Sequence, residues 1–114
     1  MGSTTYTMDI ADTPAEQEQG LSGRPPLAPD TGMIFIFDKP DNYGFWMKDM
    51  NFPLDIIWIS SDLHIIHIEK NLTPQTYPTV YYPNVPTQYV LEISAGQTDQ
   101  NNIKIGDLVK ILKN

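Results

Sequence analysis

A run of five apolar residues, Met33 to Phe37, constrains the fold most strongly. A strand on a half-exposed sheet alternates apolar and polar residues, whereas this run is apolar at every position and is typical of a strand buried on both faces. The chain has 114 residues, and 40% of them are hydrophobic. We therefore expect a single domain with a real core, although a domain of this size is only modestly stable.

Further strands are predicted at short intervals along the chain. They are expected at residues 4–10, 44–48, 54–59, 64–69, 88–93 and 107–112. The one clear helix signal is a capping box, in which Thr13 caps, Pro14 suits the first helical position and Glu16 follows three residues after the cap. We therefore predict a mainly β fold, a small antiparallel β-sandwich or barrel-like domain with one short helix at about residues 14–19.

The first three residues, Met1 to Ser3, are typical of a cloning-vector remnant. The single mainly β domain is therefore expected to span residues 4–114. Whether a targeting or anchoring segment precedes Thr4 in the native protein is left open by the sequence.

Charge and cysteine content exclude several classes of function. The net charge of −7 disfavours binding to nucleic acid, which needs a basic face, and docking on anionic lipid. With no cysteine, the chain has neither thiolate metal ligands nor a Cys nucleophile. His64 and His67 should point to opposite faces of their strand and cannot chelate together. The methionines could suit monovalent copper, but core packing is the commoner role of Met. We therefore expect no metal, no cofactor and no membrane insertion by this domain.

Several short motifs resemble domain-of-unknown-function family 192. They lie at residues 20–24 (GLSGR), 32–35 (GMIF), 45–48 (FWMK), 53–56 (PLDI), 89–92 (YVLE), 95–96 (AG) and 106–107 (GD). Two positions depart from the usual pattern, because Ser22 stands where Met is usual and Asp49 where Asn or Thr is. The resemblance implies a small β-sandwich, often preceded by a signal or lipid-anchor segment, and it implies no activity.

Four charged residues form the candidate binding site. Arg24 is the only arginine, and Lys48, Asp55 and Glu92 each lie within an apolar strand pattern. A carboxylate buried there needs a partner, because an unpaired buried charge costs several kcal/mol. We therefore expect Arg24 to contact Asp55 or Glu92, with Lys48 nearby. Such a cluster would either form a polar ligand pocket or be an ion-pair network that fixes the proline-rich loop to the sheet.

The aromatic residues give a second candidate surface. Tyr81 and Tyr82 lie in a proline-rich segment, where their rings could stack on a ligand or fold back over the domain. Trp46 and Trp58 are interpreted as core residues.

Three functions remain open from the sequence. The first is a monomeric, extracytoplasmic binding or accessory domain without catalytic residues, which uses the charged cluster and the two tyrosines for an unknown ligand or protein partner. The second is a carboxylate-based, glycan-directed hydrolase that uses Asp55 and Glu92. The third is a structural domain that binds no small ligand. No nucleophile elbow or phosphate loop is present in the sequence.

Overall fold

One five-stranded sheet organises the protein, whose structure is a computed structural model that describes residues 4–112. The strands are β1 (Thr7–Ala11), β2 (Thr31–Asp41), β3 (Leu54–Ile59), β4 (Ile65–Leu72) and β5 (Thr87–Ser94). Two short α-helices, α1 (Pro14–Gln19) and α2 (Gln97–Gln100), and a 3₁₀ turn at Pro74–Thr76 complete the elements. The suspected vector remnant lies outside the described residues.

The sheet has the order β1-β2-β5-β3-β4 and is mixed. β1 runs parallel to β2, and the other neighbouring strands are antiparallel. The expectation of an antiparallel sandwich or barrel is therefore wrong, although the fold is mainly β. The segment between β1 and β2 contains α1 and returns the chain to the same end of the sheet, which makes this pair parallel.

The capping box acts as its sequence indicates. The Thr13 hydroxyl accepts a hydrogen bond from the Glu16 backbone N–H at 3.2 Å, and a Glu16 carboxylate oxygen accepts one from the Thr13 backbone N–H, also at 3.2 Å. These bonds satisfy N–H groups that have no partner within the helix. α1 ends at Gly20, whose φ of 52° lies in the left-handed region that glycine tolerates best.

Both faces of the sheet are covered, as the apolar run in β2 predicts. One face, here called the Trp58 face, carries Phe35, Ile56, Trp58 and Val90. The other, the Ile57 face, carries Ile34, Ile57, Leu91 and Ile93. Because successive strand residues point to opposite sides, neighbouring positions of β3 and β5 belong to different cores.

The segments that pack on the two faces of the sheet are not the strands that the sequence predicts there. Residues 44–48 form a loop over the Trp58 face, where the buried Met47 anchors it and Phe45 makes a single bridge to Tyr81. Residues 107–112 form no strand, and Leu108 makes only an isolated bridge to His64. Ile103 supplies part of the cover of the Ile57 face. None of the helices within residues 4–112 has the length and apolar character that a membrane span requires.

Candidate functional site

Glu92 occupies an unusual position in the middle of the sheet. It lies on β5, paired with Met33 of β2 on one side and Ile56 of β3 on the other. These neighbours place its side chain on the Trp58 face, among apolar groups, and the residue is only 4% exposed. Among residues 4–112, the Glu92 carboxyl has neither a hydrogen-bond partner nor a basic partner.

The Glu92 carboxyl lines a pocket of about 310 Å³. The floor is the Trp58 face of the sheet, one wall is the end of α1 with the residues after it, and the other wall is the loop at residues 43–50. Five aromatic residues contribute to the lining: Phe35, Phe37, Tyr43, Phe45 and Trp46. The backbone of Gly20 passes close to the acid, because a Cβ there would lie 3.7 Å from Oε1 of Glu92. The lining also includes polar side chains, mainly from α1 and the residues after it, so aromatic and polar groups meet in one cleft, as in many small-molecule sites.

Hydrogen bonds hold the two walls together at their rim. The Ser22 hydroxyl donates to the Lys48 carbonyl at 2.9 Å, and the Gly23 N–H donates to the Asp49 carbonyl at 2.9 Å. At the base of the loop, the indole Nε1 of Trp58 donates to the Tyr43 carbonyl at 2.9 Å. The pocket is thus shaped by groups that are already satisfied, which is what a pre-formed site requires.

Burial governs the protonation of Glu92. Removal from water disfavours the charged carboxylate, and it raises the pKa of Glu92 from 4.5 to about 8. The carboxyl is therefore largely protonated at neutral pH. A protonated carboxyl both donates and accepts hydrogen bonds. A perturbed acid in a cleft is a physical indicator of a functional site.

Asp55 lies on the opposite face of the sheet. It pairs with Ile93 and belongs to the Ile57 face, whereas Glu92 pairs with Ile56 and belongs to the Trp58 face. The Asp55 carboxylate accepts backbone N–H bonds from Asn71 at 2.8 Å and Thr98 at 2.9 Å. Asp55 therefore ties α2 to the sheet, and the expected cluster of Asp55 with Glu92 is not formed.

The expected contact of Arg24 is also wrong. Its guanidinium donates to Asp9 of β1 at 2.7 Å, with 41% of the Arg24 side chain exposed. It therefore contacts neither Asp55 nor Glu92. A buried acid needs a partner, but Glu92 has none among the described residues, and burial raises its pKa instead.

Lys48 lies outside the pocket, beside its mouth. A second depression, which shares Glu18, Gln19, Ser22 and Trp46 with the pocket, extends to Lys48 and Asp49. The Lys48 ammonium lies 5.6 Å from the centroid of the Trp46 ring, within the range of a cation–π contact. The interpretation of Trp46 as a core residue is wrong, since it is 43% exposed, while Trp58 is fully buried as expected.

The two candidate tyrosines do not line the pocket. Tyr81 is half-buried against the Trp58 face and makes two backbone hydrogen bonds to Phe45, of 2.9 and 2.8 Å. Tyr82 is 58% exposed, and its ring lies against Gly44. Tyr81 thus supports the pocket wall from behind, and Tyr82 lies outside it.

The histidines lie apart from the pocket. His64 pairs with Asp62 at 3.3 Å, and His67 pairs with Glu69 at 2.8 Å. Within residues 4–112, no three His, Cys, Asp or Glu side chains are grouped so that they could hold a metal ion.

Sequence reasoning identified Glu92 but missed most of the pocket around it. The alternation of residues 45–48 contained a usable signal, because Phe45 and Met47 point inward and leave Trp46 and Lys48 exposed. That alternation indicates an extended segment with one covered side, and it does not distinguish a strand from a loop that packs on a sheet.

Comparisons with known proteins agree on the fold and assign no activity. A Sinorhizobium meliloti 1021 protein, provisionally described as a transcription regulator, is 36% identical with a TM-score of 0.86 over 90% of this chain and 79% of its own. A Novosphingobium aromaticivorans DSM 12444 protein of unknown function is 38% identical with a TM-score of 0.89 over 93% of this chain and 75% of its own. No curated protein matches the chain.

The family comparison covers almost the whole sequence. The model of domain-of-unknown-function family 192, described as an uncharacterized ACR, matches residues 1–111. This match confirms the resemblance carried by the short motifs. The chain belongs to domain-of-unknown-function family 192.

Proposed function

We propose that this protein is a binding domain for a small molecule, and that the Glu92 pocket is its binding site. The supporting observation is that Glu92, a residue only 4% exposed, has a carboxyl without a partner among the described residues, beside a cleft with five aromatic rings. A buried polar group without a partner is costly to a fold. A ligand that bonds to Glu92 would offset this cost, and the rings would pack against the ligand's apolar part.

The positions of Asp55 and Glu92 do not support the hydrolase alternative. Glycoside hydrolysis needs two carboxyl groups on either side of one bond, about 5 to 10 Å apart within one cleft. Asp55 and Glu92 lie on opposite faces of the sheet, so they cannot flank one substrate.

Regulation by contact with DNA has little support in this chain. The description of the Sinorhizobium protein would suggest such a role by analogy. A net charge of −7 opposes it, because phosphate contacts need clustered Lys and Arg.

The cellular setting is part of the proposal. The family resemblance supports an extracytoplasmic location, and the acidic surface is compatible with a soluble monomer. Fractionation of the native cells tests the location, and sedimentation of the purified protein tests the monomeric state.

A screen of small aromatic fragments by amide NMR tests the binding function. We expect hits to shift the amide signals of Gly20, Trp46 and Glu92. Trp46→Ala should weaken those hits. Tyr82→Ala is the matched control, because Tyr82 is also an exposed aromatic residue but does not line the pocket. Hits that depend on Tyr82 and not on Trp46 would contradict the proposed site.

A further inference from the structure

The acidic and basic side chains that line the pocket itself are all acidic. Glu92 and Glu18 are the only residues with acidic or basic side chains among the described residues that line the pocket, since no Lys, Arg or His contributes to it. Tyr43 is the remaining titratable group of the lining. The depression beside the mouth adds Asp49 and a single cation, Lys48. An anionic ligand would therefore meet two carboxyl groups and no counter-charge within the pocket.

The aromatic lining also favours a cation. The faces of Trp, Tyr and Phe rings carry negative potential and attract ammonium groups within about 6 Å. The protein itself shows this at the pocket's mouth, where the Lys48 ammonium lies 5.6 Å from the Trp46 ring centroid. Trp46 lines both the mouth and the pocket. A ligand ammonium would therefore meet rings of the same kind on its way to Glu92.

The size and chemistry of the pocket narrow the class of cation. About 310 Å³ is at the small end for ligand pockets, which suits a compact apolar or aromatic body. The Glu92 carboxyl has no donor facing it among residues 4–112. A primary ammonium has three N–H donors, whereas a quaternary ammonium has none and could not satisfy the carboxylate.

We propose that the ligand of the Glu92 pocket is a small primary amine with an apolar or aromatic body, held by an ion pair to Glu92 and by the aromatic lining. This inference rests on the proposed binding function, and it adds the chemical class of the ligand. The binding step is a proton exchange: Glu92 releases its proton to solvent, and the charged carboxylate then pairs with the ammonium.

Proton release gives the interaction a defined pH dependence. Because the pKa of Glu92 is about 8 in the free protein, affinity for an amine should rise about tenfold per pH unit below that value and level off above it. A neutral ligand that accepts a hydrogen bond from protonated Glu92 would show the opposite trend, with affinity lost above pH 8. Glu18 and Lys48 are exposed groups at the rim and the neighbouring depression.

Three probes with the same benzyl body test the inference by calorimetry and amide NMR: benzylamine, benzyl alcohol and benzoate. We expect benzylamine to bind at least about tenfold more tightly than the other two at pH 8, since an ion pair in a desolvated site adds to the shared ring contacts. At neutral pH, calorimetry in buffers of different ionisation enthalpy should show close to one proton released per benzylamine bound.

Two variants separate the role of Glu92 from that of an acid outside the pocket. Glu92→Gln keeps the shape of the side chain and removes its charge, so it should abolish the preference for benzylamine and the proton release. Asp38→Asn removes an exposed carboxylate that does not line the pocket, and it should retain both. A preference for benzylamine that persists in Glu92→Gln would overturn the inference.

The outcomes also separate this inference from the binding function. If benzyl alcohol or benzoate shifts the pocket signals and binds as tightly as benzylamine, the amine inference fails and the binding function stands. If none of the three probes shifts a signal from the pocket at millimolar concentration, both proposals are contradicted.

Discussion

Replacement of Glu92 by Gln should stabilise the protein, and the gain should depend on pH. The carboxyl is buried on the Trp58 face, where no described side chain compensates its charge. Gln has nearly the same shape and cannot ionise. The comparison of the two proteins therefore isolates the cost of a buried titrating group from the packing around it.

The raised pKa of Glu92 decides how its contribution to stability changes with pH. The pKa of Glu92 is raised from 4.5 to about 8 on folding, so its contribution to stability is fully present below pH 4.5 and is lost as the pH rises to about 8. Each pKa unit corresponds to about 1.4 kcal/mol, so the whole interval amounts to about 4 to 5 kcal/mol. This is a large share of the 5 to 15 kcal/mol that stabilises a typical domain.

Urea unfolding of both proteins between about pH 5 and pH 9 measures this effect. We expect the free energy of unfolding of Glu92→Gln to exceed that of the wild type by an amount that grows by about 1.4 kcal/mol per pH unit up to about pH 8. Glu18→Gln is the control for the loss of one exposed charge. Profiles of Glu92→Gln and wild type that stay parallel across the range would show that the pKa of Glu92 is not raised by folding.

Three further substitutions test the rest of the structure by thermal or urea unfolding. Asp55→Asn should destabilise the protein by about 2 to 3 kcal/mol, because each carboxylate oxygen accepts one backbone N–H bond and Asn keeps only one of the two oxygens. An unchanged free energy of unfolding would contradict the structural role of Asp55. Arg24→Lys should change stability by less than about 1 kcal/mol, since its ion pair with Asp9 is exposed; a larger loss would indicate a buried partner. Gly32→Ala should cost about 1 to 3 kcal/mol or more, because the added Cβ would lie 2.4 Å from a backbone oxygen; unchanged stability would show that β5 can move away.

The sequence predicted the elements whose signals are local. The capping box at Thr13 and Glu16 marks α1, and the apolar run of β2 marks the central part of the sheet. Both depend on the residues themselves, through hydrogen bonds three residues apart and through burial on two faces. The resemblance to family 192 rests on the same kind of local motif.

The errors arose where a distant segment decides the structure. Residues 44–48 alternate like a strand, but their backbone pairs only at Phe45, and the alternation reflects a loop with Met47 beneath it. The short α2 carries no apolar period, so nothing in its sequence indicates a helix. These placements depend on the tertiary fold.

The sequence predicted that Asp55 and Glu92 enter apolar cores, but it did not predict that they lie apart. Alternation within β5 shows that Glu92 must enter an apolar core, and alternation within β3 shows the same for Asp55. It does not give the register between the strands, which places the two acids on opposite faces. Nor does alternation show that backbone N–H groups satisfy Asp55. It also does not show that Glu92 has no partner among the described residues.

A direct titration of the Glu92 carboxyl tests whether this buried acid lacks a compensating partner in the fold. With glutamate labelled at the carboxyl carbon, NMR resolves each side chain, and Glu92→Gln identifies the signal by its loss. We expect a midpoint at about pH 8 in the free protein, and a lower midpoint with saturating benzylamine. A midpoint near the ordinary value of 4.5 in the free protein would show that Glu92 is charged and compensated within the fold, and would contradict the account.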